Sequence, residues 1–186
     1  DTPWGYWMAA YEAISAANHA LDAISKSSKN VDFEAQKAEA LVCRAYLHFM
    51  LVNIFSKNYN TTTSSSDLGI PYVTKPEKVI FEHYNRGTVA SVYANIEKDL
   101  QEGMKNIGLN NFKVAKYHFN LEATYSFAAR FYLFKNEPDS VIKYATLALG
   151  EHPESKIRAL NGPNYAGQVY KIIESNYTNS DEACNL

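Results

Sequence analysis

The stretch from Leu41 to Phe55 limits the folds open to this chain. Leu41, Val42, Ala45, Tyr46, Leu47, Phe49, Met50, Leu51, Val52, Ile54 and Phe55 leave it almost no polar side. Read from Phe33 onward it is a helix, and a helix that is apolar all round is buried all round. Other helices must therefore surround it. The apolar stretch is interrupted by Arg44, His48 and Asn53. It is also shorter than the roughly 20 residues of a membrane span, so it reads as the core helix of a soluble chain.

The partners of this helix are legible on either side. Before it, Trp4, Trp7, Met8, Tyr11, Ile14, Leu21 and Ile24 recur at three- and four-residue steps, which lines one helix face. Asn18 falls on that face, and a buried amide without a partner costs about 1–3 kcal/mol, so Asn18 is expected to bond a neighbouring backbone. Ser25 to Asp32 is polar and ends this helix. Two helices joined by so short a loop pack antiparallel. After the central helix, Thr88 is a good N-cap for a third, whose stripe is Val89, Val92, Tyr93, Ile96, Leu100, Met104 and Ile107, with Gly108 as its stop. Leu121 to Lys135 is a fourth helix capped by Asn120, and Asp139 to Leu149 a fifth, opened by Pro138 and closed by Gly150. Pro163 to Glu174 reads as a short sixth, and the polar tail from Ser175 stays unplaced.

Between the second and third helices, residues 58–87 carry no helical pattern. Asn58 to Asp67 is a low-complexity polar run that reads as surface loop with nothing to bury. Leu68-Gly69-Ile70-Pro71-Tyr72-Val73 is a short extended piece, kept from helix by Pro71 and Pro76. Irregular segments this long inside a domain are usually functional or disordered.

Helices four and five also carry a repeat pattern. Tyr125, Ala128, Ala129 and Tyr132 on one, Val141, Ala145 and Ala148 on the next, and then Pro153, have the spacing and sizes of a tetratricopeptide (TPR) unit of about 34 residues. The small residues let the two helices approach, and the tyrosines fill the groove that remains. Helices one and two read as a second, less regular pair. The expected fold is all-α, built of TPR-like antiparallel pairs with one long irregular loop.

Composition removes several functions. With 186 residues, a net charge of −2 and 20% charged residues, the chain is ordinary globular material without the basic excess of a nucleic-acid binder. Two cysteines, Cys43 and Cys184, are too few for a disulfide framework or a zinc cluster. His19, His48, His83, His118 and His152 are scattered without metal-ligand spacing. There is no phosphate loop and no nucleophile elbow, and Cys43 sits among apolar residues where thiols are inert. No catalytic residue, metal or cofactor is expected. The 14 tyrosines and 17 asparagines are the unusual counts. Flat rings with polar tips and amides that both donate and accept suit sugar recognition, although buried tyrosine in helix packing accounts for the same numbers.

Five stretches in order resemble the N-terminal half of the SusD/RagB family of outer-membrane glycan-capture lipoproteins of Bacteroidetes. They are Trp7-x3-Tyr11-x2-Ile14-x3-Asn18; Glu39-Ala40-x3-Arg44-Ala45-Tyr46-x2-Phe49-x-Leu51-x3-Phe55; Gly69-Ile70-Pro71-Tyr72-Val73; Arg86-x-Thr88-Val89-x3-Tyr93-x2-Ile96-x2-Asp99-Leu100; and the repeat on Ala128, Arg130, Tyr132, Ile142 and Ala145. The Ser/Asp-containing run Asn179 to Glu182, before Asn185-Leu186, resembles the turn that leads into the family's second half. The resemblance implies that residues 1–186 are a TPR-containing fragment of a longer protein, with the signal peptide and lipid-bearing cysteine elsewhere. Cys43 and Cys184 are wrongly placed to be that cysteine. It also implies a non-enzymatic, surface-exposed lipoprotein that binds oligo- or polysaccharide and works with a SusC-like TonB-dependent channel. The competing reading is a TPR scaffold that docks protein and has no sugar site.

Candidate glycan contacts are Trp4, at the open end of the first helix, Asn58, Tyr59 and Asn60 in the polar loop, and Tyr84. Sugar rings lay C–H faces on aromatic rings while amides bond their hydroxyls. Core packing for Trp4 and an idle loop ring for Tyr59 are the alternatives, and Trp7 is assigned to the core. Arg44 and Arg86 are read as structural, because a buried guanidinium needs a carboxylate or carbonyl partners.

Overall fold

The helix that is apolar all round is enclosed as its composition demands. The computed structural model describes residues 2–27, 32–77, 79, 82–109, 112–114 and 117–179. Among them are six α-helices: α1 (Pro3–Lys26), α2 (Glu34–Phe55), α3 (Val89–Met104), α4 (Leu121–Lys135), α5 (Pro138–Leu149) and α6 (Tyr170–Thr178). The described residues contain no strand, and Leu68 and Thr88 form an isolated antiparallel bridge. α2 packs between α1 and α3, and α4 pairs with α5. The start of α1 meets the end of α2, where Trp7 packs edge-on to Phe55 at 4.9 Å, so the two helices run antiparallel. By length and composition α2 is apolar enough to cross a bilayer. Here its faces carry Val42, Ala45, Phe49, Leu51 and Val52 into the core. The fold is the expected all-α, TPR-like one.

The caps set the helix starts. Thr2 Oγ1 accepts from Gly5 N–H, Thr88 and Ser91 form a reciprocal capping box, and Asn120 accepts from Ala123 N–H. α3 presents Val89, Val92, Tyr93, Ile96 and Leu100 at 0–1% exposure. Each such side chain contributes about 1.5–3 kcal/mol by leaving water. α4 ends on Asn136 in the left-handed region (φ 63°), one of the few non-glycine residues at ease there. In the repeat pair, Ala128 and Ala148 are buried, and Tyr132 stacks on Tyr144 at 5.4 Å and 6°. Gln101 of α3 donates to both hydroxyls, at 2.6 and 3.0 Å, and so fastens the pair to the stack.

Four expectations need correction. α3 stops at Met104 rather than Gly108, because Lys105 and Asn106 N–H bond back three residues to Glu102 and Gly103. That tightening leads to a 3-10 turn, Ile107–Leu109, which still delivers Ile107 to the core. The sixth helix covers Tyr170–Thr178 rather than Pro163 to Glu174. Residues 163–167 are turns that end on Gly167 at φ 73°, a conformation a helix cannot continue through, and 168–169 are irregular. The helix thus takes in part of the tail left unplaced. The polar run after α2 does bury a residue: Ser64 is 2% exposed, and its Oγ accepts from Asn60 N–H. Its carbonyls also cap α3, since Ser64 and Asp67 accept from Ala90 and Val89 N–H. Finally, Met8 is exposed although it shares the stripe of α1. The run Ser180 to Glu182, Asn185, Leu186 and Cys184 lie outside the described residues.

Candidate functional site

The two prolines that forbid helix leave Gly69 to Glu77 as an extended strap laid over α1, α2 and α3. Five side chains grip its backbone. Arg86 Nε donates to Gly69 O (2.7 Å), Tyr11 Oη to Pro71 O (2.7 Å), and Asn18 Nδ2 to Val73 O (3.1 Å). Arg44 Nη1 donates to Thr74 O (3.2 Å), and Val73 N–H donates to His48 Nε2 (3.1 Å). Asn18 and both arginines therefore have the structural partners expected of them.

Beneath the strap lies a buried polar cluster. Arg44 Nε and Nη2 donate to Asp99 Oδ2 and Oδ1 at 2.7 and 2.8 Å, and Nη1 also reaches Asn18 Oδ1 at 2.9 Å. Tyr72 Oη donates to Asp99 Oδ2 at 2.6 Å. Burial opposes the charge on Arg44, but its bonds to Asp99 overcome that and leave its pKa above the ordinary value. Tyr72 stacks on His48 at 3.9 Å, and burial raises the Tyr72 hydroxyl's pKa.

His48 has both ring nitrogens committed. Nδ1–H donates to Arg44 O at 2.8 Å, which leaves Nε2 bare to accept from Val73. That arrangement needs the neutral ring, and burial lowers its pKa to about 4. The unfolded chain binds this proton near pH 6.5 and the folded one near 4, so the contribution is complete above 6.5. It is lost progressively as pH falls from about 6.5 to about 4, by on the order of 3 kcal/mol. Denaturant midpoints across that window should therefore fall more steeply for the native chain than for His48→Gln. Parallel curves would show that His48 does not carry the effect.

The strap walls two open troughs. One, of about 520 Å³, runs along α1 past Trp7, Met8, Tyr11 and Glu12, with Lys75, Glu77 and Tyr84 opposite. The other, of about 710 Å³, is lined by Leu21, Asp22, Tyr72, Lys75, Glu77, Glu82 and Tyr84 among others. Val73, Lys75 and Glu77 alternate along the extended strap, and together with Tyr84 they border both. Burial, and then the charge of the nearby Glu77 carboxylate, raise the Tyr84 hydroxyl's pKa. The carboxylates accept from hydroxyls, the ammonium donates, and the rings offer apolar faces.

The sequence candidates divide. Tyr84 sits in the wall of both troughs. Trp4 is 69% exposed on α1, one turn before Trp7. Asn58 is exposed. Tyr59 packs on Tyr93 at 4.7 Å, and Asn60 Oδ1 accepts from Thr62 N–H within its own turn. Neither lines a trough. Trp7, packed on Tyr11 and Phe55, joins the core edge as expected and also lines the trough. Tyr11 stands in the stripe and motif of the first helix but not among the sequence's candidate contacts, and Glu12, Lys75 and Glu77 are not among those contacts either. Their signal is periodic: Trp7 and Tyr11 are one helical turn apart, and Lys75 and Glu77 share a face of an extended chain.

A third cavity, of about 420 Å³, lies between α2 and α4 beside Glu39, Cys43, Phe127 and Arg130. Burial pushes the Cys43 thiol up to about 11, so it is protonated at neutral pH. Among the described residues no three His, Cys, Asp or Glu side chains are grouped to hold a metal ion.

A TPR-like stack with an extended strap pinned over buried Arg, Asp and His side chains defines a class of helical scaffold. Within that class, the sequence pattern of the SusD-like family, described as starch-binding and associating with the outer membrane, matches residues 1–133, and the chain belongs to this family. No curated protein matches the sequence. Among solved structures, a SusD superfamily protein of Bacteroides thetaiotaomicron VPI-5482 superposes with a TM-score of 0.69 and 23% identity, over 82% of this chain and 33% of that one. A protein of Bacteroides vulgatus ATCC 8482 gives 0.72 and 24% over all of this chain and 39% of that one. A laminarin-binding SusD-like protein gives 0.65 and 23%, over 80% and 30%. These likenesses show the fold, and the chain spans between a quarter and two fifths of the structures it matches.

Proposed function

We propose that this chain belongs to a non-enzymatic carbohydrate-binding component of an outer-membrane glycan-uptake system. In this reading the whole protein is a surface-exposed lipoprotein that hands oligo- or polysaccharide to a SusC-like TonB-dependent channel. The observation that carries it is the trough beside α1, where Trp7, Tyr11 and Tyr84 supply rings and Glu12, Lys75 and Glu77 supply hydrogen-bonding rims. Trp4 extends the row of rings one turn further along α1. The family description and the laminarin bound by one solved relative point the same way. Asn58, Tyr59 and Asn60 remain proposed contacts from the end of α2. Channel docking falls to the far side of the stack, where α4 and α5 leave Leu133, Ile142 and Leu147 exposed.

The chain's two tryptophans, Trp4 and Trp7, both stand on this end of α1, so intrinsic fluorescence reports on it directly. Titration with soluble polysaccharides should give a saturable change, and Tyr84→Ala should weaken affinity roughly tenfold, the worth of one ring stack. Silence against every glycan, in this chain and in the full-length protein alike, would favour the protein-docking scaffold instead.

A further inference from the structure

We infer that the strap-walled troughs select uncharged glycan chains and turn away polyuronates and sulfated glycans; this rests on the carbohydrate-binding reading above. Among the described residues, the charged side chains lining the two troughs are Glu12, Asp22, Glu77 and Glu82 against Lys75. Asp22 is neutralised by Lys26 at 2.5 Å. Three carboxylates then face one ammonium. Lys78, next to Glu77 in the chain, lies outside the described residues.

The chemistry follows from what carboxylates do. They only accept hydrogen bonds, and a neutral sugar offers a hydroxyl donor at almost every carbon. A uronate or sulfate replaces some of those donors with negative charge. A like charge brought to about 4 Å in water opposes binding by about fivefold. A polymer carrying a charge on every ring meets both carboxylates of a trough, and Lys75 offsets about one of them, which leaves a net penalty of about fivefold. Glu77 and Lys75 border both troughs and offset each other, so a chain threading either one passes an excess of one negative charge, from Glu12 in one and Glu82 in the other.

The test uses the full chain with laminarin and soluble starch as neutral probes and sodium polygalacturonate as the polyanion. Binding is measured at about 20 mM and about 500 mM salt, conditions of weak and strong screening. The expected result is saturable binding of a neutral probe that salt leaves nearly unchanged. Polygalacturonate should bind at least about fivefold more weakly at low salt, and high salt should narrow the gap. The double variant Glu12→Gln, Glu77→Gln alters exposed side chains and keeps an acceptor oxygen at each. It should gain at least about fivefold for polygalacturonate at low salt. Polygalacturonate binding as tightly as the neutral probes overturns the inference and leaves carbohydrate binding standing. An unchanged preference in the double variant also overturns it, because the discrimination then lies outside the troughs. No binding of any probe or of any other glycan, by this chain and by the full-length protein alike, removes the carbohydrate reading and this inference with it.

Discussion

Arg44→Met lowers stability by about 3–5 kcal/mol, because it leaves the Asp99 carboxylate buried without its counter-charge. Asp99 is 6% exposed and takes both of its guanidinium bonds from Arg44. Tyr72 remains as its single donor in the cluster. Methionine fills much of the volume, so the loss is electrostatic rather than a cavity. For a chain of this size, Tm should fall on the order of 10 °C. Adding Asp99→Leu to Arg44→Met should recover part of the loss, since apolar packing often replaces a buried ion pair without penalty. A double-mutant cycle by denaturant unfolding would read the coupling. Glycan affinity should survive in the folded fraction, because Tyr11, Asn18, His48 and Arg86 still hold the strap. An unchanged Tm with lost binding would reverse the assignment and make Arg44 a contact residue.

The same cluster shows which parts of the molecule are legible in the sequence. Periodicity found α3 and the repeat pair, because their apolar residues recur on one face and their caps are local. Periodicity does not say which distant polar residues meet. Asn18, Arg44, His48 and Asp99 each interrupt an otherwise apolar face, and the structure brings all four under one strap. Arg44 and His48 are four residues apart, so they share a side of α2, and that spacing was the available clue. The strap's own path was hidden, since extended backbone without a sheet partner has no period of its own. Helix six was misplaced for a related reason. Pro163 is a good first helical residue, but Gly162 and Gly167 turn the chain first, and no core contact forces an early start. At the candidate site, periodicity alone marks the rings of α1 as core or as isolated contacts. The trough exists only because the strap returns alongside them.

Gly103→Ala should destabilise the chain although alanine is the better helix former. Gly103 lies in α3, where the exchange would ordinarily gain about 1 kcal/mol. Here α3 approaches α2 so closely that an added Cβ meets Val42 Cγ2 at 2.7 Å and Ala38 O at 2.9 Å. The valine methyl can move, but the backbone carbonyl of a central helix cannot without shifting the helix. Overpacking of this kind costs about 1–3 kcal/mol, enough to reverse the propensity gain. Gly103→Val, with two further methyls at the same contact, should lose about 3 kcal/mol or more. Gly108→Ala is the internal control: its added Cβ would find Leu121 Cδ2 at 3.7 Å, an ordinary contact, and its stability should stay within about 0.5 kcal/mol. Chemical denaturation of the three variants reads the comparison directly. If Gly103→Ala proves as stable as Gly108→Ala, the two helices have room between them. The placement of Arg44 against Asp99, which depends on the same α2–α3 spacing, would then need to be drawn again.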